Sequence, residues 1–440
     1  MSAPTTARRW PGRAASASPD PSGGRGAAWE SGPRFVAWVL GAYALARGVS
    51  ALLLIFLTRY QVPVGWTGPR VEYLTIVGLW DAGWYRQIAE EGYPATLPVD
   101  ASGQLQQNPW AFYPLFPYAS RALMQLTGWP FATAGSTLAL LFGAAAAVLI
   151  AWQLRELVGA RVAMAAVIVW ATCAPSPVLQ VAYSESVAIL VLAAVLWALQ
   201  REAWWAAAAL AALTGLARPI AVPLGVVALV AVIVRWRARH DRPVRRGEAG
   251  GMLAALLACG VAGLMWPTVA WLSTGIPTAY TDTMATWRAG AHIVPLTPWV
   301  GIARYLFGIP GGALALVAAI ALLVGLVAGP WAARLGPVLR AWCLAYPAYL
   351  ALVLDPGTSL FRYLLPLYPW AVLAVDGAWR ARRGAGGTAP PAGVGAEEGA
   401  APTLRRVASL TALWVLLGTS TQWWWLYELW RFIPPSDWPP

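Results

Sequence analysis

The residues best suited to chemistry are a few charged side chains in an otherwise apolar sequence. Asp81 lies in the segment LWDAGWYRQIAEEGYP (Leu79–Pro94), between Trp80 and Trp84. A carboxylate in this position can accept a proton from a hydroxyl group, which is the work of a general base in group transfer. An acid at the start of a helix also binds free backbone N–H groups, so helix capping is the alternative role. The two roles are compatible, because a cap would hold the carboxylate in place.

Three more charged residues occur in stretches where charge is otherwise scarce. Glu185, in YSES (Tyr183–Ser186), lies at the mouth of an apolar stretch, and an ionisable group at membrane depth indicates function because it is costly to bury. Arg218 and Arg362 each carry a guanidinium group, which holds phosphate through paired hydrogen bonds. The alternatives are a helix cap through Ser184 for Glu185 and contact with lipid headgroups for the two arginines.

A second polar stretch, TDTMATWRAGAH (Thr281–His292), contains Asp282, Arg288 and His292. A single histidine in a loop is ordinarily a solvated side chain. The sequence has no phosphate-binding GxxxxGK[ST] loop, no GxGxxG after a strand and no HExxH, and its three cysteines offer neither a disulfide framework nor a cysteine-rich metal site. We therefore expect no ATP-driven chemistry within this chain and no cofactor, and we leave a divalent cation open.

The elements that must position these side chains are membrane helices. Of the 440 residues, 59% are hydrophobic and 11% are charged, whereas about a quarter are charged in an average soluble domain. A spanning helix needs about 20 apolar residues, and the sequence has eleven candidate stretches. It therefore predicts an all-α polytopic membrane protein. The eleven stretches are Phe35–Leu57, Gly135–Ala151, Val162–Leu179, Ser186–Leu199, Ala203–Leu216, Ile220–Val234, Gly251–Leu272, Gly312–Trp331, Ala341–Leu354, Tyr363–Gly377 and Val407–Leu426.

The distribution of arginine predicts the orientation of these helices. All 31 basic residues are arginine. With a cytoplasmic N-terminus, 21 of them fall in inner segments and nine in outer segments, with Arg47 inside the first span; this is the bias of the positive-inside rule. The net charge of +12 is therefore mainly a signal of topology, and we expect no nucleic-acid partner. The predicted location is the cell membrane, with the candidate site on the extracytoplasmic face.

The domain organisation follows from the same pattern. Residues 1–33 are predicted to be a disordered cytoplasmic tail, residues 34–430 the transmembrane domain and residues 431–440 an extracytoplasmic tail. Within the domain, residues 58–133 form a first extracytoplasmic loop far longer than a connection requires, and residues 380–406 form a flexible cytoplasmic loop. Part of the long loop has the spacing of an amphipathic helix lying on the membrane surface.

Five motifs together resemble those of one family. The chain resembles the PIG-V-like mannosyltransferases, the GPI mannosyltransferase II family, which belong to the GT-C membrane glycosyltransferases. The resemblance covers nearly the whole membrane region, and the motifs occur in the order of the family. They are WDAGWYRQIAEEGYP at Trp80–Pro94, FYPLFP at Phe112–Pro117, YSES at Tyr183–Ser186, LTGLARP at Leu213–Pro219 and RYLLPLYP at Arg362–Pro369.

The resemblance implies a GT-C fold and transfer of mannose from a polyprenyl-phosphate donor of the dolichyl-phosphate type. The acceptor would be a hydroxyl of a glycolipid or glycan on the extracytoplasmic face, and transfer would invert the sugar. The resemblance makes Asp81 the essential acid. Residue Leu79 departs from the basic residue that family members often have before the WD pair. The Arg-only, Ala-rich composition indicates a GC-rich, bacterial genome. Eukaryotic members act in GPI anchor assembly, which a bacterial chain would not share, so the acceptor stays open.

The candidate site residues follow from these motifs. Asp81 is the candidate general base. The candidate substrate-binding residues are Trp80, Tyr113, Glu185, Arg218, Arg362 and Tyr363. A GT-C transferase of another sugar is the nearest alternative. A flippase or transporter of lipid-linked sugar and a non-catalytic scaffold partner are the more distant ones.

Overall fold

The computed structural model describes Glu30 and residues 32–65, 67–288, 293–377 and 404–434. Most of the predicted tail 1–33, most of the predicted loop 380–406, and His292 lie outside the described residues. The first helix begins at Gly32 and the last begins at Leu404, so each extends a little into a segment that we predicted to be unstructured.

The described part of the chain is built from helices, and no β-strand occurs in it apart from one isolated antiparallel bridge between Val99 and Leu105. The all-helical prediction is therefore confirmed. The helices are α1 Gly32–Leu57, α2 Tyr73–Val77, α3 Asp81–Glu90, α4 Leu115–Thr127, α5 Phe131–Val158, α6 Ala160–Thr172, α7 Glu185–Gln200, α8 Trp204–Ala217, α9 Ala221–Arg237, α10 Arg246–Thr274, α11 Ala279–Thr286, α12 Thr297–Ala328, α13 Gly336–Val353, α14 Leu360–Tyr363, α15 Trp370–Val372 and α16 Leu404–Trp425.

Six helices in the described ranges are long and apolar enough to cross a membrane, against the eleven spans that we predicted. Three further predicted spans correspond to the shorter apolar helices α6, α7 and α8. The six long ones are Gly32–Leu57, Phe131–Val158, Ala221–His240, Arg246–Thr274, Thr297–Ala328 and Pro330–Val353.

The short helices α6 and α7 leave a break in the bundle. Helix α6 starts directly after α5, with only Gly159 between them, and ends at Thr172 rather than at the predicted Leu179. At about 1.5 Å per residue its 13 residues rise about 20 Å, while the 28 residues of α5 rise about 42 Å. Because α5 and α6 pack side by side, the chain after Thr172 lies well below the level of Phe131, where α5 begins. Residues 173–184, here called the recessed break, therefore begin well below the end of the bundle that carries the long loop, here called the loop end. They rise to the level of Gly135, one turn from the start of α5, at Ala182.

The predicted span Tyr363–Gly377 is not a continuous helix, because the chain is broken there. Helix α14 ends at Tyr363, and α15 covers only three residues before a π-helical turn, Leu373–Gly377. Pro366 and Pro369 lie between the pieces; proline lacks the N–H that a continuous helix needs. The break keeps Arg362 and Tyr363 on a short separate helix.

The long loop between α1 and α5 contains the predicted amphipathic helix, which is α3. Its apolar face is buried against the protein, with Ala82, Tyr85, Ile88 and Ala89 inside, rather than lying on a membrane surface. Helix α4 packs against both α3 and α5. The loop therefore folds back over the bundle and places the start of α3 near the recessed break.

Helix α8 approaches α10 closely at Gly215. A Cβ atom at this position would lie 2.7 Å from the carbonyl oxygen and 2.8 Å from the Cα of Ala262 in α10. Small residues at helix contacts permit such approaches in membrane proteins. The contact fixes the end of α8, where Arg218 follows.

The substitution Gly215→Ala should destabilise the fold, because the added methyl group must push the backbone of Ala262 away. Overpacking of this kind costs about 1–3 kcal/mol, so the midpoint of thermal unfolding in detergent should fall. Gly260→Ala in α10 is the matched control, since a Cβ there meets nothing within 4 Å. Equal midpoints for the two variants would contradict the close contact.

Candidate active site

Four charged residues from distant parts of the sequence meet in one buried cluster. Arg362 donates from Nη2 to Asp81 Oδ2 at 2.6 Å and from Nη1 to Glu185 Oε1 at 2.8 Å. Arg218 Nη2 donates to the same Oε1 of Glu185 at 2.6 Å. These residues, here called the charge cluster, are the four that the sequence singled out, and the structure brings all four together.

A strained turn presents Asp81. Asp81 is the first residue of α3, and Trp80 before it has a φ of 58°, a conformation that is uncommon for residues other than glycine. The Trp80 indole N–H donates to the carbonyl oxygen of Trp430 at 2.6 Å, and its ring packs against Phe432. Tyr183 accepts a hydrogen bond from the backbone N–H of Asp81 at 3.1 Å. The cap interpretation is wrong, since Trp80 is the cap residue and the Asp81 carboxylate binds Arg362.

Glu185 is the first residue of α7 and lies at the recessed break. Ser184 occupies the cap position but makes no side-chain cap bond, so the capping alternative is wrong here too. Its hydroxyl instead contacts Tyr85 Oη at 2.7 Å and accepts from Arg218 Nε at 3.1 Å. Glu185 Oε2 is buried and has no hydrogen-bond partner among the residues that the structure describes. The Oε2 atom of Glu185 is therefore an acceptor without a donor among these residues.

Tyr363 joins the two arginines. The Arg218 guanidinium lies 5.3 Å and the Arg362 guanidinium 5.0 Å from the centre of its ring, within the range of a cation–π interaction. The side chains of Arg362 and Arg218 are 4% and 12% exposed. Neither arginine reaches towards lipid headgroups, so that alternative is wrong for both.

The charges in the cluster balance, because two carboxylates face two guanidinium groups. Asp81 retains 11% exposure of its side chain, against 1% for Glu185. Asp81 lies outside the helices that are long and apolar enough to cross a membrane. Burial raises the pKa of its carboxyl above the ordinary value, and the Arg362 guanidinium opposes that shift. Asp81 is therefore the more exposed of the two acids, and the pKa of its carboxyl is raised.

Tyr113 lies apart from the charge cluster. Its ring packs 5.7 Å from that of Trp266, and its hydroxyl is 3.4 Å from that of Tyr280. Trp266 lines a groove of about 810 Å³ between α4 and the loop-end parts of α8 and α10, together with Tyr93, Tyr118, Leu216 and Val269. Leu216 precedes Arg218 by two residues in the sequence, and no residue of the charge cluster lines the groove.

The polar stretch around Asp282 and Arg288 does not join the cluster either. Arg288 pairs with Asp355 at 3.2 Å and donates to the carbonyl oxygen of Val353 at 3.0 Å. Asp282 accepts from the hydroxyl of Thr278. Both side chains therefore have local partners.

Two tyrosines in the site were missed by sequence reasoning. Tyr85 follows Asp81 by one helical turn, and Tyr183 belongs to the YSES motif, so each lay inside a motif that we had noted. The usable signal for Tyr85 was its spacing of four residues from Asp81, which puts both on one face of a helix.

Among the described residues, no group of three or more His, Cys, Asp or Glu side chains is arranged to hold a metal ion. No family model matches this chain, and no curated protein matches it either. The candidate function therefore depends on the geometry of the charge cluster.

Loss of Glu185 should strongly destabilise the protein. Two buried guanidinium groups, those of Arg218 and Arg362, would then have Asp81 as the one remaining carboxylate of the cluster. Removing one partner of a buried pair costs about 3–5 kcal/mol, so Glu185→Ala should lower the free energy of unfolding by that amount. Glu156→Ala is the control, since its pair with Arg201 is exposed and such pairs contribute about 0–1 kcal/mol. Denaturant unfolding in detergent measures both, and comparable losses would argue against a buried cluster.

Proposed function

We propose that this chain is a membrane glycosyltransferase of the GT-C type. It moves mannose from a polyprenyl-phosphate donor to a hydroxyl of a glycolipid or glycan, with inversion, on the extracytoplasmic face. The observation that carries the proposal is the charge cluster. Residues 81, 185, 218 and 362 come from four motifs in the order of the family that the sequence resembles, and their side chains contact one another.

Asp81 is the general base in this proposal. The acceptor oxygen attacks the anomeric carbon of the donor sugar as the bond from that carbon to the phosphate oxygen breaks. The proton of the acceptor hydroxyl passes to the Asp81 carboxylate, whose Oδ1 has no hydrogen bond within the described ranges and whose side chain is partly exposed. A raised pKa suits this task, because a base works best when its pKa is close to the operating pH.

The positive charges of the two arginines stabilise the leaving phosphate. Fixed cations aimed at a developing anion are often the largest contribution to such a step. Arg218 is the more exposed of the two and meets the donor phosphate first, while the more deeply buried Arg362 stays with Asp81. Glu185 keeps both guanidinium groups in place and takes part in substrate binding through Arg218.

The groove that Leu216 and Trp266 line is the place we assign to the polyprenyl chain. Its lining is mostly aromatic and aliphatic, and it contains no charged side chain. Tyr113, through its contact with Trp266, shapes this groove rather than the reacting centre. Trp80 acts in the proposal by holding the turn before Asp81.

The substitution Asp81→Asn should abolish transfer, since an amide cannot take up the proton of the acceptor. General-base catalysis contributes roughly 10²–10⁴-fold. The assay uses purified protein in liposomes, labelled polyprenyl-phosphate mannose and envelope glycolipids. Asp100→Asn is the matched control, because Asp100 lies in the same loop and binds only its own turn. For the wild type, the rate should fall as the pH is lowered through the raised pKa of Asp81, starting above the ordinary range of an aspartate.

Undiminished transfer by Asp81→Asn would remove Asp81 from the reaction. Passage of the labelled lipid across the liposome without transfer would favour the flippase instead. Transfer of another labelled sugar, with mannose rejected, would keep the reaction and change the donor.

The substitution Arg218→Gln should chiefly weaken use of the donor, because the exposed cation for the phosphate is lost. Charge-assisted hydrogen bonds contribute about 1.5–3 kcal/mol, so the KM for donor should rise by roughly tenfold or more. Arg121→Gln is the control, since Arg121 lies on α4, outside the charge cluster, and its side chain donates to the carbonyl oxygen of Glu90. An unchanged KM for donor would exclude Arg218 from phosphate binding.

A further inference from the structure

Helix α1 carries a buried cation that the proposed reaction does not use. Arg47 is 4% exposed, and its guanidinium donates to the carbonyl oxygens of Ala171 and Ser176 and to Ser176 Oγ. No carboxylate in the part of the chain that the structure describes lies within ion-pair distance of it. An arginine inside an apolar helix is costly and rarely occurs without a role.

Gln422 of α16 binds the same stretch of backbone from the other side. Its Nε2 donates to the carbonyl oxygen of Thr172 at 2.8 Å and to Ser176 Oγ at 3.1 Å. Its Oε1 accepts from the hydroxyl of Ser50, one turn along α1 from Arg47, at 2.8 Å. Two helices distant in sequence thus converge on the end of α6.

The chemistry of a helix end explains why these residues suit the break. The last carbonyl groups of α6 have no partner within the helix, and they carry the negative end of the helix dipole. In an apolar surrounding, such groups must be satisfied by the protein. Arginine and glutamine supply the donors, and the dipole and the carbonyls offset the positive charge in place of a carboxylate.

Two residues of the candidate site, Tyr183 and Glu185, lie on the segment that these contacts hold. After Ser176 the chain passes Leu179, whose carbonyl oxygen accepts from the hydroxyls of Tyr43 at 3.4 Å and Ser186 at 3.3 Å. It then reaches Tyr183, which contacts Asp81, and Glu185, which contacts both arginines. If α6 continued through the break, neither residue could stay where it is.

We propose that Arg47, together with Gln422, is a positioning residue of the charge cluster. It holds the break between α6 and α7 open and thereby fixes Tyr183 and Glu185 against Asp81 and Arg362. The catalytic part of this inference rests on the proposed function, while the structural part does not.

The structural part is tested by unfolding and by thiol labelling. In a double-mutant cycle with Arg47→Met and Glu185→Ala, the two losses of thermal stability should be non-additive, because distant sites without coupling add. The labelling uses a Cys259→Ala, Cys343→Ala background, in which Cys173 is the remaining thiol. Arg47→Met should raise the labelling rate of Cys173 by roughly tenfold or more, since residues 173–184 then open locally. Arg59→Met is the control, because Arg59 is exposed at the end of the same helix and lies over the ring of Phe56. Additive losses, or unchanged labelling, would overturn the proposal.

The catalytic part is tested by transfer kinetics with protein that is folded and membrane-inserted. A misplaced Glu185 should lower kcat by roughly 10- to 100-fold in Arg47→Met and in Gln422→Met. The KM for donor should rise as well, because Glu185 holds Arg218. Arg47→Lys, which keeps the charge and some donors, should recover part of the rate. A loss confined to the amount of folded protein, with kcat unchanged, would overturn the positioning role. If the wild type transfers no sugar at all, the proposed function fails, and the cycle and the labelling still decide whether Arg47 positions Glu185.

Discussion

A single carboxylate oxygen, Glu185 Oε1, accepts hydrogen bonds from two arginines, and the arrangement of the site depends on it. Two guanidinium groups that share one anion would repel each other without it, and the second acid, Asp81, completes the balance. Burying any one of these charges alone would cost several kcal/mol. The starts of α3 and α7, the end of α8 and the short helix α14 must therefore meet in one arrangement, because any other leaves a charge without a partner in an apolar surrounding.

The recessed break between α6 and α7 makes this meeting possible. A continuous apolar helix would offer no free backbone and no helix start at that depth, so Glu185 could not enter the cluster from the first turn of α7. The carbonyl groups left free at the end of α6 accept hydrogen bonds from side chains of α1 and α16 rather than from the next turn of a longer helix. The polar contacts between the helices therefore support the charge cluster, and the long loop covers the cluster.

Much of this could be predicted from the sequence, and the rest could not for identifiable reasons. Apolar length and periodicity were enough for the helical class, and scarcity of charge was enough to single out Asp81, Glu185, Arg218 and Arg362. Their pairing was not predictable, because it depends on contacts across up to 281 positions. Hydrophobicity also could not show where the helices are continuous, since it cannot distinguish a continuous helix from the proline-broken pieces after Arg362.

Tyr363 gives the site a property that none of its charges has alone. Both guanidinium groups lie against one aromatic ring, so that ring is a second link between two cations that also share Glu185 Oε1. A displacement of Arg218 towards an incoming anion would change the packing of the ring and be felt at Arg362, and hence at Asp81. Occupancy of the site at Arg218 and the position of the Asp81 carboxylate are in this way linked through the Tyr363 ring as well as through Glu185.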